Sequence, residues 1–174
     1  MTSSREGDLV ELVSPDGHPT GSTTVLDAHT APGQLHRAFS VLLFDPAGRT
    51  LLQQRAAAKT RFPLRWANAC CGHPAPGAPV VTAAATRLAE ELGVSGITLT
   101  EVGRYTYQAA DPATGLVEHE YDHVLVARVP SDLVIRPDPA EVARVQWISP
   151  ESLLSQDPSY APWLAGVLST ALGH

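Results

Sequence analysis

Residues 71–93 read CGHPAPGAPVVTAAATRLAEELG, and this segment constrains the fold more than any other part of the chain. Its second half, Val80 to Leu92, repeats apolar residues at positions i, i+3, i+4 and i+7, which is typical of an amphipathic helix. Gly93 then predicts the end of that helix. Its first half, Cys71-Gly72-His73-Pro74, puts a thiol two residues before an imidazole, and the glycine lets the backbone approach a ligand. The segment therefore predicts a ligand site followed by a helix.

Two acidic residues, Glu90 and Glu91, fall in the last turn of this helix, where the helix dipole disfavours negative charge. A nearby cation would offset that penalty. Arg87 and Glu91 are four residues apart and share one helix face. We expect either a simple salt bridge or a metal held by Glu91, with Arg87 close to an anion.

The rest of the chain is predicted to be mostly strands. They are expected over residues 8–13, 21–26, 38–44, 49–55, 97–107, 117–129 and 142–148, with a short helix from Ser149 and a last helix over residues 161–172. Residues 61–79 contain four prolines and two glycines and are expected to form an irregular loop that carries the candidate chemistry. Because strands and helices mix without strict βαβ alternation, we expect one α+β domain with a mixed sheet over residues 1–174, with residues 1–7 as a flexible tail.

Composition and charge exclude several classes of protein. The 174 residues are 44% hydrophobic and 17% charged, which indicates a globular domain. A net charge of −6 argues against a nucleic-acid binder. No apolar run approaches the ~18 residues of a membrane span, and the polar N-terminus lacks a signal core, so we expect a cytoplasmic protein with no membrane partner. The two cysteines, Cys70 and Cys71, are adjacent, so at least one is expected to be a free thiol.

The basic residues are unevenly distributed. Residues 47–88 contain no acidic residue. They carry half of the chain's twelve basic residues, namely Arg49, Arg55, Lys59, Arg61, Arg65 and Arg87. A cationic region on an acidic protein suggests a small anionic ligand such as a phosphate ester, and a solvated basic loop is the alternative.

Glu118 and Glu120 lie on one face of a predicted strand, because residues i and i+2 share a face, while His119 points away. Taken alone they could be solvated carboxylates. Together with three histidines they form a set that suits zinc or manganese. The members of that set are His29, His36, His73, Glu118 and Glu120.

The stretch from Gly72 to Val94 resembles a Nudix box, in which a glycine precedes an Arg-Glu-x-x-Glu-Glu-x-Gly ending. Gly72 and residues 90–93 fit in register. Ala78 stands where the box has a glutamate, and Thr86-Arg87 stand where it has Arg-Glu, so two acidic positions are missing. Since Nudix hydrolases use several carboxylates to hold the metals that activate water, the degenerate box weakens a hydrolase interpretation.

Over roughly Leu9 to Trp163, the chain resembles the type I isopentenyl-diphosphate delta-isomerases, which are Nudix-fold enzymes. The matching pieces are Ala28-His29-Thr30, Leu35-His36-Arg37-Ala38-Phe39-Ser40, Trp66-Ala67-Asn68-Ala69-Cys70-Cys71-Gly72-His73-Pro74, Glu90-Glu91-Leu92-Gly93-Val94, Tyr107 with Asp111-Pro112, Glu118-His119-Glu120 and Ala161-Pro162-Trp163. The resemblance implies a single Nudix-like α/β/α layered domain with a mixed sheet. It also implies an isomerase of isoprenoid biosynthesis, which interconverts isopentenyl and dimethylallyl diphosphate by protonation and deprotonation through a tertiary carbocation.

The resemblance assigns three catalytic residues. Cys71 is the base, and its cationic surroundings are expected to favour the thiolate. Glu120 is the opposing acid and also a metal ligand, and Tyr107 is expected to hydrogen-bond Glu120. Trp163 would offer its π face to the carbocation, with core packing as the alternative.

The resemblance also assigns the ligands. One Mn²⁺ or Zn²⁺ would be held by His29, His36, His73, Glu118 and Glu120. Glu91 would help to hold Mg²⁺ on the substrate diphosphate. The diphosphate itself would be contacted by Arg55, Lys59 and Arg87. Val25 stands where relatives can carry a further lysine.

Two other functions are compatible with these residues: a Nudix-type pyrophosphohydrolase and a non-catalytic metal-binding module. Unlike these two functions, the isomerase interpretation gives Cys71 a role. It predicts a small allylic or homoallylic diphosphate as the partner, and a monomer or weak homo-oligomer.

Overall fold

The computed structural model describes residues 5–153 and 157–173. Helix α2, Val80–Leu92, has the bounds that the apolar periodicity predicted. Gly93 ends it in the left-handed conformation, with φ of 65°, and its N–H donates to the carbonyl oxygen of Ala89. A glycine suits this position because a side chain strains the left-handed backbone.

A nine-stranded sheet forms the centre of the fold. Its strands are β1 (Leu9–Val13), β2 (Pro19–Thr24), β3 (His36–Phe44), β4 (Thr50–Arg55), β5 (Trp66–Ala67), β6 (Cys70–Gly72), β7 (Thr100–Ala110), β8 (Val117–Arg128) and β9 (Val142–Ile148). The other helices are α1 (Val25–His29) and α3 (Leu164–Leu172), and short 3-10 helices span Arg5–Gly7 and Pro150–Ser152.

The sheet is mixed, as predicted. Strands β3 and β8 pair in parallel, whereas every other recorded strand pair in the described chain is antiparallel. Strand β3 also pairs with β1, β4 and β6, strand β4 with β5 and β9, and strand β8 with β7. Strand β3 therefore lies at the junction of the sheet, and it begins at His36.

Helices α2 and α3 cover opposite faces of this sheet. Alternate residues of β3 point to opposite sides. Val41 belongs to the buried cluster that contains Leu88 of α2. Its neighbour Leu42 belongs to a second cluster that contains Val167 of α3. The α/β/α layering that the family resemblance implied is therefore confirmed.

The prediction of an irregular loop over residues 61–79 was partly wrong, because β5 and β6 form within it. Strand β6 pairs with β3, where Phe39 lies opposite Gly72. A Cβ atom on Gly72 would lie 2.6 Å from the Phe39 ring, so packing against Phe39 requires a glycine at this position. Cys71 therefore sits on a strand and not in a loop.

The expected flexible tail over residues 1–7 lies partly outside the described chain. Residues 1–4 lie outside the described part of the chain, and Arg5–Gly7 form a 3-10 helix. The Glu6 carboxylate accepts two hydrogen bonds from Arg61, and Arg5 pairs with Glu90 of α2. These ion pairs connect residues 5 and 6 to the rest of the domain.

Among the residues that the structure describes, no helix has both the length and the apolar character needed to cross a bilayer.

Candidate active site

Three neighbouring strands bring His36, Glu120 and Tyr107 into one row. His36 lies opposite Glu120 in the parallel pair of β3 and β8, and Glu120 lies opposite Tyr107 in the antiparallel pair of β8 and β7. Side chains of directly opposed residues project from the same face of a sheet. The Tyr107 hydroxyl donates to Glu120 Oε2 at 2.8 Å, which confirms the expected hydrogen bond. Strand register thus assembles half of the site.

His29 and His73 reach the same point from other elements. Thr24 Oγ1 accepts a hydrogen bond from the N–H of Asp27 and so caps α1, which ends at His29. This cap replaces the predicted continuation of the strand through residue 26. His73 follows β6 directly, and its Nε2 lies 2.9 Å from Glu120 Oε1.

The four side chains form a compact cluster. One ligand atom from each of His29, His36, His73 and Glu120 lies within 4.8 Å of the others. The Nδ1 atoms of His29 and His36 lie 2.6 and 2.7 Å from backbone carbonyl oxygens, which leaves each Nε2 for a ligand. His36 Nε2 is buried and has no hydrogen-bond partner in the described chain. A buried polar atom normally has a partner, so this nitrogen is available to bind a metal ion. This donor set suits a divalent transition metal.

Glu118, the expected fifth ligand, lies beside this cluster. Its Oε2 is 3.0 Å from His29 Nε2, and its Oε1 is 3.3 Å from Arg61 Nε. The carboxylate is therefore shared between an imidazole of the cluster and an arginine of the cationic region.

The cluster distributes its protons unequally. Burial alone would lower the pKa of His29, but the hydrogen-bonded carboxylate of Glu118 and the nearby carboxylate of Glu120 outweigh it and raise that pKa to about 9. Burial lowers the pKa of His73 to about 4. Although burial would raise the pKa of Glu120, the three neighbouring imidazoles, of which His73 lies within hydrogen-bond distance, hold that pKa well below its usual value. At neutral pH, His29 is therefore charged, His73 is neutral and Glu120 is ionised.

We expect metal uptake by the metal-free protein to release about one proton at pH 7.5. A metal requires neutral imidazole, and His29 is protonated below its pKa of about 9. The release should decline as the pH rises through 9, and the apparent affinity should rise up to about tenfold per pH unit below it. Calorimetric titration with Zn²⁺ or Mn²⁺ in buffers of different ionisation enthalpy measures the proton count.

His119→Gln is the matched control for this titration, because its ring points away to the Gly33 carbonyl oxygen. It should release the same number of protons as the wild type. A proton count of zero at pH 7.5, or one that stays constant to pH 10, would contradict the assignment of the charged imidazole to His29.

Cys71 lies on β6. Its Sγ lies 3.3 Å from Asn68 Oδ1 and 3.7 Å from Ser40 Oγ. Burial, followed by the charge of Asp122, raises the pKa of Cys71 to about 12, and the Ser40 hydrogen bond and the charge of Arg55 oppose this without reversing it. The sulfur therefore carries a proton at neutral pH. The expectation that cationic surroundings would favour a thiolate was wrong, because loss of solvation outweighs them.

The neighbouring thiol has a different environment. Cys70 is fully buried in the cluster that packs against α2, whereas Cys71 packs against the cluster on the α3 side. Burial, together with the charge of Glu91, raises the pKa of Cys70 well above its usual value. Cys71, and not Cys70, is among the residues that line the cavity described next.

A cavity of about 260 Å³ opens beside these groups. It is lined by all three cations that the resemblance assigned to a diphosphate, Arg55, Lys59 and Arg87. Its lining also includes Cys71, His73, Tyr107, Glu118, Glu120 and Trp163. The cavity thus joins a cationic end to a thiol, a phenol and carboxylates.

Glu91 is engaged by protein groups. Arg87 pairs with its Oε1, and Gln53 Nε2 donates to its Oε2 at 2.9 Å. Lys59 Nζ lies 3.9 Å from the same carboxylate. These cations offset the unfavourable position of Glu91 at the end of α2, as expected for a salt bridge. In the described chain, Glu91 belongs to no cluster of three or more potential ligands.

Trp163 is a packed core residue that also lines the cavity. It is 2% exposed and packs edge-on against Phe62, with ring centroids 5.5 Å apart. It also lines the cavity, where its ring centroid lies 5.9 Å from that of Tyr107 and 5.5 Å from Arg55 Cζ. A packed aromatic ring is thereby held at the cavity wall.

Sequence reasoning missed three residues of this site. Arg61 lies in the basic region but was not linked to Glu118. Asn68 lies inside the matching Trp66–Pro74 motif without an assigned role. Glu141 pairs with Lys59 and with Arg87, yet nothing near it in the sequence signals this.

Comparison with known proteins first identifies the fold family of the chain. The family model for the NUDIX domain matches residues 34–170, which agrees with the layered fold. A solved Deinococcus radiodurans structure superimposes with a TM-score of 0.70 at 18% identity, covering 94% of this chain and 99% of that one. At this identity the likeness concerns the fold alone.

Proteins of similar sequence identify the family within the NUDIX proteins. A Nocardia farcinica protein named Isopentenyl-diphosphate Delta-isomerase is 61% identical over 166 residues, covering 93% of both chains. A Streptomyces coelicolor protein of the same name is 49% identical over 169 residues, covering 95% of this chain and 84% of that one. The chain therefore belongs to the isopentenyl-diphosphate Delta-isomerase family of NUDIX proteins, and the resemblance read from its motifs is confirmed.

Proposed function

We propose that this enzyme interconverts isopentenyl diphosphate and dimethylallyl diphosphate. The observation that carries the proposal is that Cys71 and Glu120 line one cavity together with three cations. Family membership supports the same reaction. A hydrolase would give the cavity-facing thiol no role.

Cys71 and Glu120 are the proton-transfer pair of this proposal. The reaction adds a proton to the terminal methylene carbon and removes one from the carbon next to the diphosphate-bearing carbon, so the double bond moves by one position. In the resting state the pair holds its proton on sulfur. From that state, and opposite to the roles that the resemblance assigned, the thiol gives a proton and the carboxylate takes one. Proton exchange with solvent returns the pair to its resting state, and the reverse reaction starts from the thiolate and the carboxylic acid.

Tyr107 and Trp163 would act at the hydrocarbon part of the substrate. Burial, followed by the charge of Glu120, raises the pKa of Tyr107 well above its usual value, so the phenol keeps its proton and orients the carboxylate by donation. The Trp163 ring presents a π face that stabilises a tertiary carbocation without attacking it. Water exclusion by the buried walls protects the cation from hydration.

Arg55, Lys59 and Arg87 anchor the diphosphate, which is a small-molecule partner of matching charge. Each guanidinium or ammonium group has protein partners in the free enzyme, and Glu141 is shared by Lys59 and Arg87. A bound diphosphate would compete with that carboxylate for both cations.

Metal ions are expected at two places. His29, His36, His73, Glu118 and Glu120 would hold one Mn²⁺ or Zn²⁺, and Glu91 would contribute to Mg²⁺ that arrives with the diphosphate. A bound ion would supply Lewis acidity and a fixed orientation for Glu120. Because Glu91 is already paired with Arg87, its part in holding Mg²⁺ requires that pair to open.

The alternative activity is hydrolysis of a diphosphate by a Nudix-type enzyme. One incubation with isopentenyl diphosphate, Mg²⁺ and Mn²⁺ or Zn²⁺ separates the two, if dimethylallyl diphosphate and released phosphate are measured in the same sample. We expect the isomer to form while both phosphates stay attached. Release of inorganic phosphate or diphosphate without migration of the double bond would refute the proposal.

A further inference from the structure

A buried amide, Asn68, lies behind the cavity wall between β5 and β6. Its side chain is fully buried. The Nδ2 atom donates to the carbonyl oxygens of Val41, at 3.2 Å, and Cys70, at 2.9 Å. Both amide protons therefore have backbone partners.

The amide oxygen has two partners as well. Asn68 Oδ1 accepts from the Trp163 indole N–H at 3.1 Å and lies 3.3 Å from Cys71 Sγ. An indole nitrogen can only donate, so the atom that faces it must be the oxygen. A reversed amide would set its NH₂ group against the indole N–H and its oxygen against two carbonyl oxygens. The network therefore fixes the orientation of Asn68 and uses all of its hydrogen-bonding capacity.

We propose that Asn68 is a positioning residue, whose one oxygen holds the Cys71 thiol and the Trp163 indole in fixed relation at the cavity wall. The proposal rests on the proposed isomerase function, because that reaction needs a proton-transfer group and a π face beside the same five-carbon chain. Neither the fold nor the metal cluster needs these two side chains to be joined.

Loss of this link should affect turnover more than substrate affinity. Trp163 keeps its contacts with Phe62 and Arg55 when the hydrogen bond is removed, so its ring remains in the wall but is less closely fixed. No recorded hydrogen bond or ion pair joins Asn68 to the proposed diphosphate cations in the described chain. A misplacement of reacting groups by about 1 Å is sufficient to lower a rate by about 10²-fold.

The kinetic test compares Asn68→Ala with Cys70→Ala, which alters a buried side chain two residues further along the chain without removing the amide oxygen. We expect Asn68→Ala to lower kcat by about 10–100-fold with KM changed less than about threefold. Combined with Trp163→Phe, it should lower kcat by less than the product of the two single effects. An unchanged kcat, or a loss equal to that of Cys70→Ala, would overturn the proposal.

A second test uses the wild type and needs no substrate. In a proton NMR spectrum, with the Trp163 resonance assigned by Trp163→Phe, its indole proton should lie downfield of those of Trp66 and Trp147. No hydrogen bond is recorded for those two indoles in the described chain. In Asn68→Ala the resonance should move upfield. An active isomerase whose Trp163 proton is not displaced downfield would overturn the positioning role alone, whereas a displaced proton in a protein without isomerase activity would overturn the function on which it rests.

Discussion

Cys71→Ala is expected to lower isomerase turnover by about 10³–10⁴-fold, the upper part of the range for loss of a proton-transfer group. The thiol is the proton-transfer group that faces the cavity from β6, and alanine can neither give nor take a proton. The cysteine lies at a partly exposed position, so its truncation should leave the fold intact. The measurement is kcat for formation of dimethylallyl diphosphate, with circular dichroism to confirm folding.

Cys70→Ala is the matched control, since it removes the adjacent thiol from the opposite side of β6. Its sulfur packs in the buried cluster against α2 and does not line the cavity. We expect it to retain most of the activity and to lose some stability, because a small buried side chain is truncated. An inactive Cys70→Ala beside an active Cys71→Ala would show that the two roles are assigned to the wrong thiols.

Glu120→Gln is expected to reduce turnover by about 10³-fold or more and to weaken metal binding. The change preserves shape, but an amide does not take up a proton at neutral pH and is a poorer ligand than a carboxylate. It also removes the charge that the three imidazoles and Tyr107 surround. Isomerase assays and metal analysis on the same preparation measure the two effects.

The control for this variant is Glu101→Gln on β7, whose carboxylate pairs with His123 and Arg104 outside the cavity. It should behave like the wild type in both assays. If excess metal restored full turnover to Glu120→Gln, the carboxylate would be a ligand only, and its proposed part in proton transfer would be refuted.

The sequence predicted elements whose signal is local. Helix α2 has the predicted bounds because its apolar period and its terminal glycine lie within one segment. The buried run of β3 was similarly clear. Strand β6 was missed because it forms by pairing with β3, thirty residues away in the chain, and a Pro- and Gly-rich segment carries no local sign of that pairing. The ion pairs of Arg5 and Glu6 likewise join residues that are distant in the chain.

In the site too, the sequence predicted what has a local signal and missed what depends on contacts between distant residues. The motif positions identified His73, Glu120 and Tyr107, and strand register and hydrogen bonds bring these three together. The protonation of Cys71 was wrongly predicted because the effect of burial on the sulfur, which depends on the whole fold, outweighs that of the neighbouring cation. The pairing of Glu141 with Lys59 joins residues 82 positions apart, and only the folded chain reveals it.

Proton NMR of isopentenyl diphosphate incubated with the wild-type protein in deuterated water tests most directly whether Cys71 and Glu120 exchange hydrogen across one substrate. Both groups exchange their protons with solvent. We therefore expect dimethylallyl diphosphate that carries deuterium in the methyl group derived from the terminal methylene carbon. Cys71→Ala should show no such incorporation. Release of phosphate with no deuterium on carbon, or an isomer formed without solvent deuterium, would contradict proton transfer by Cys71 and Glu120.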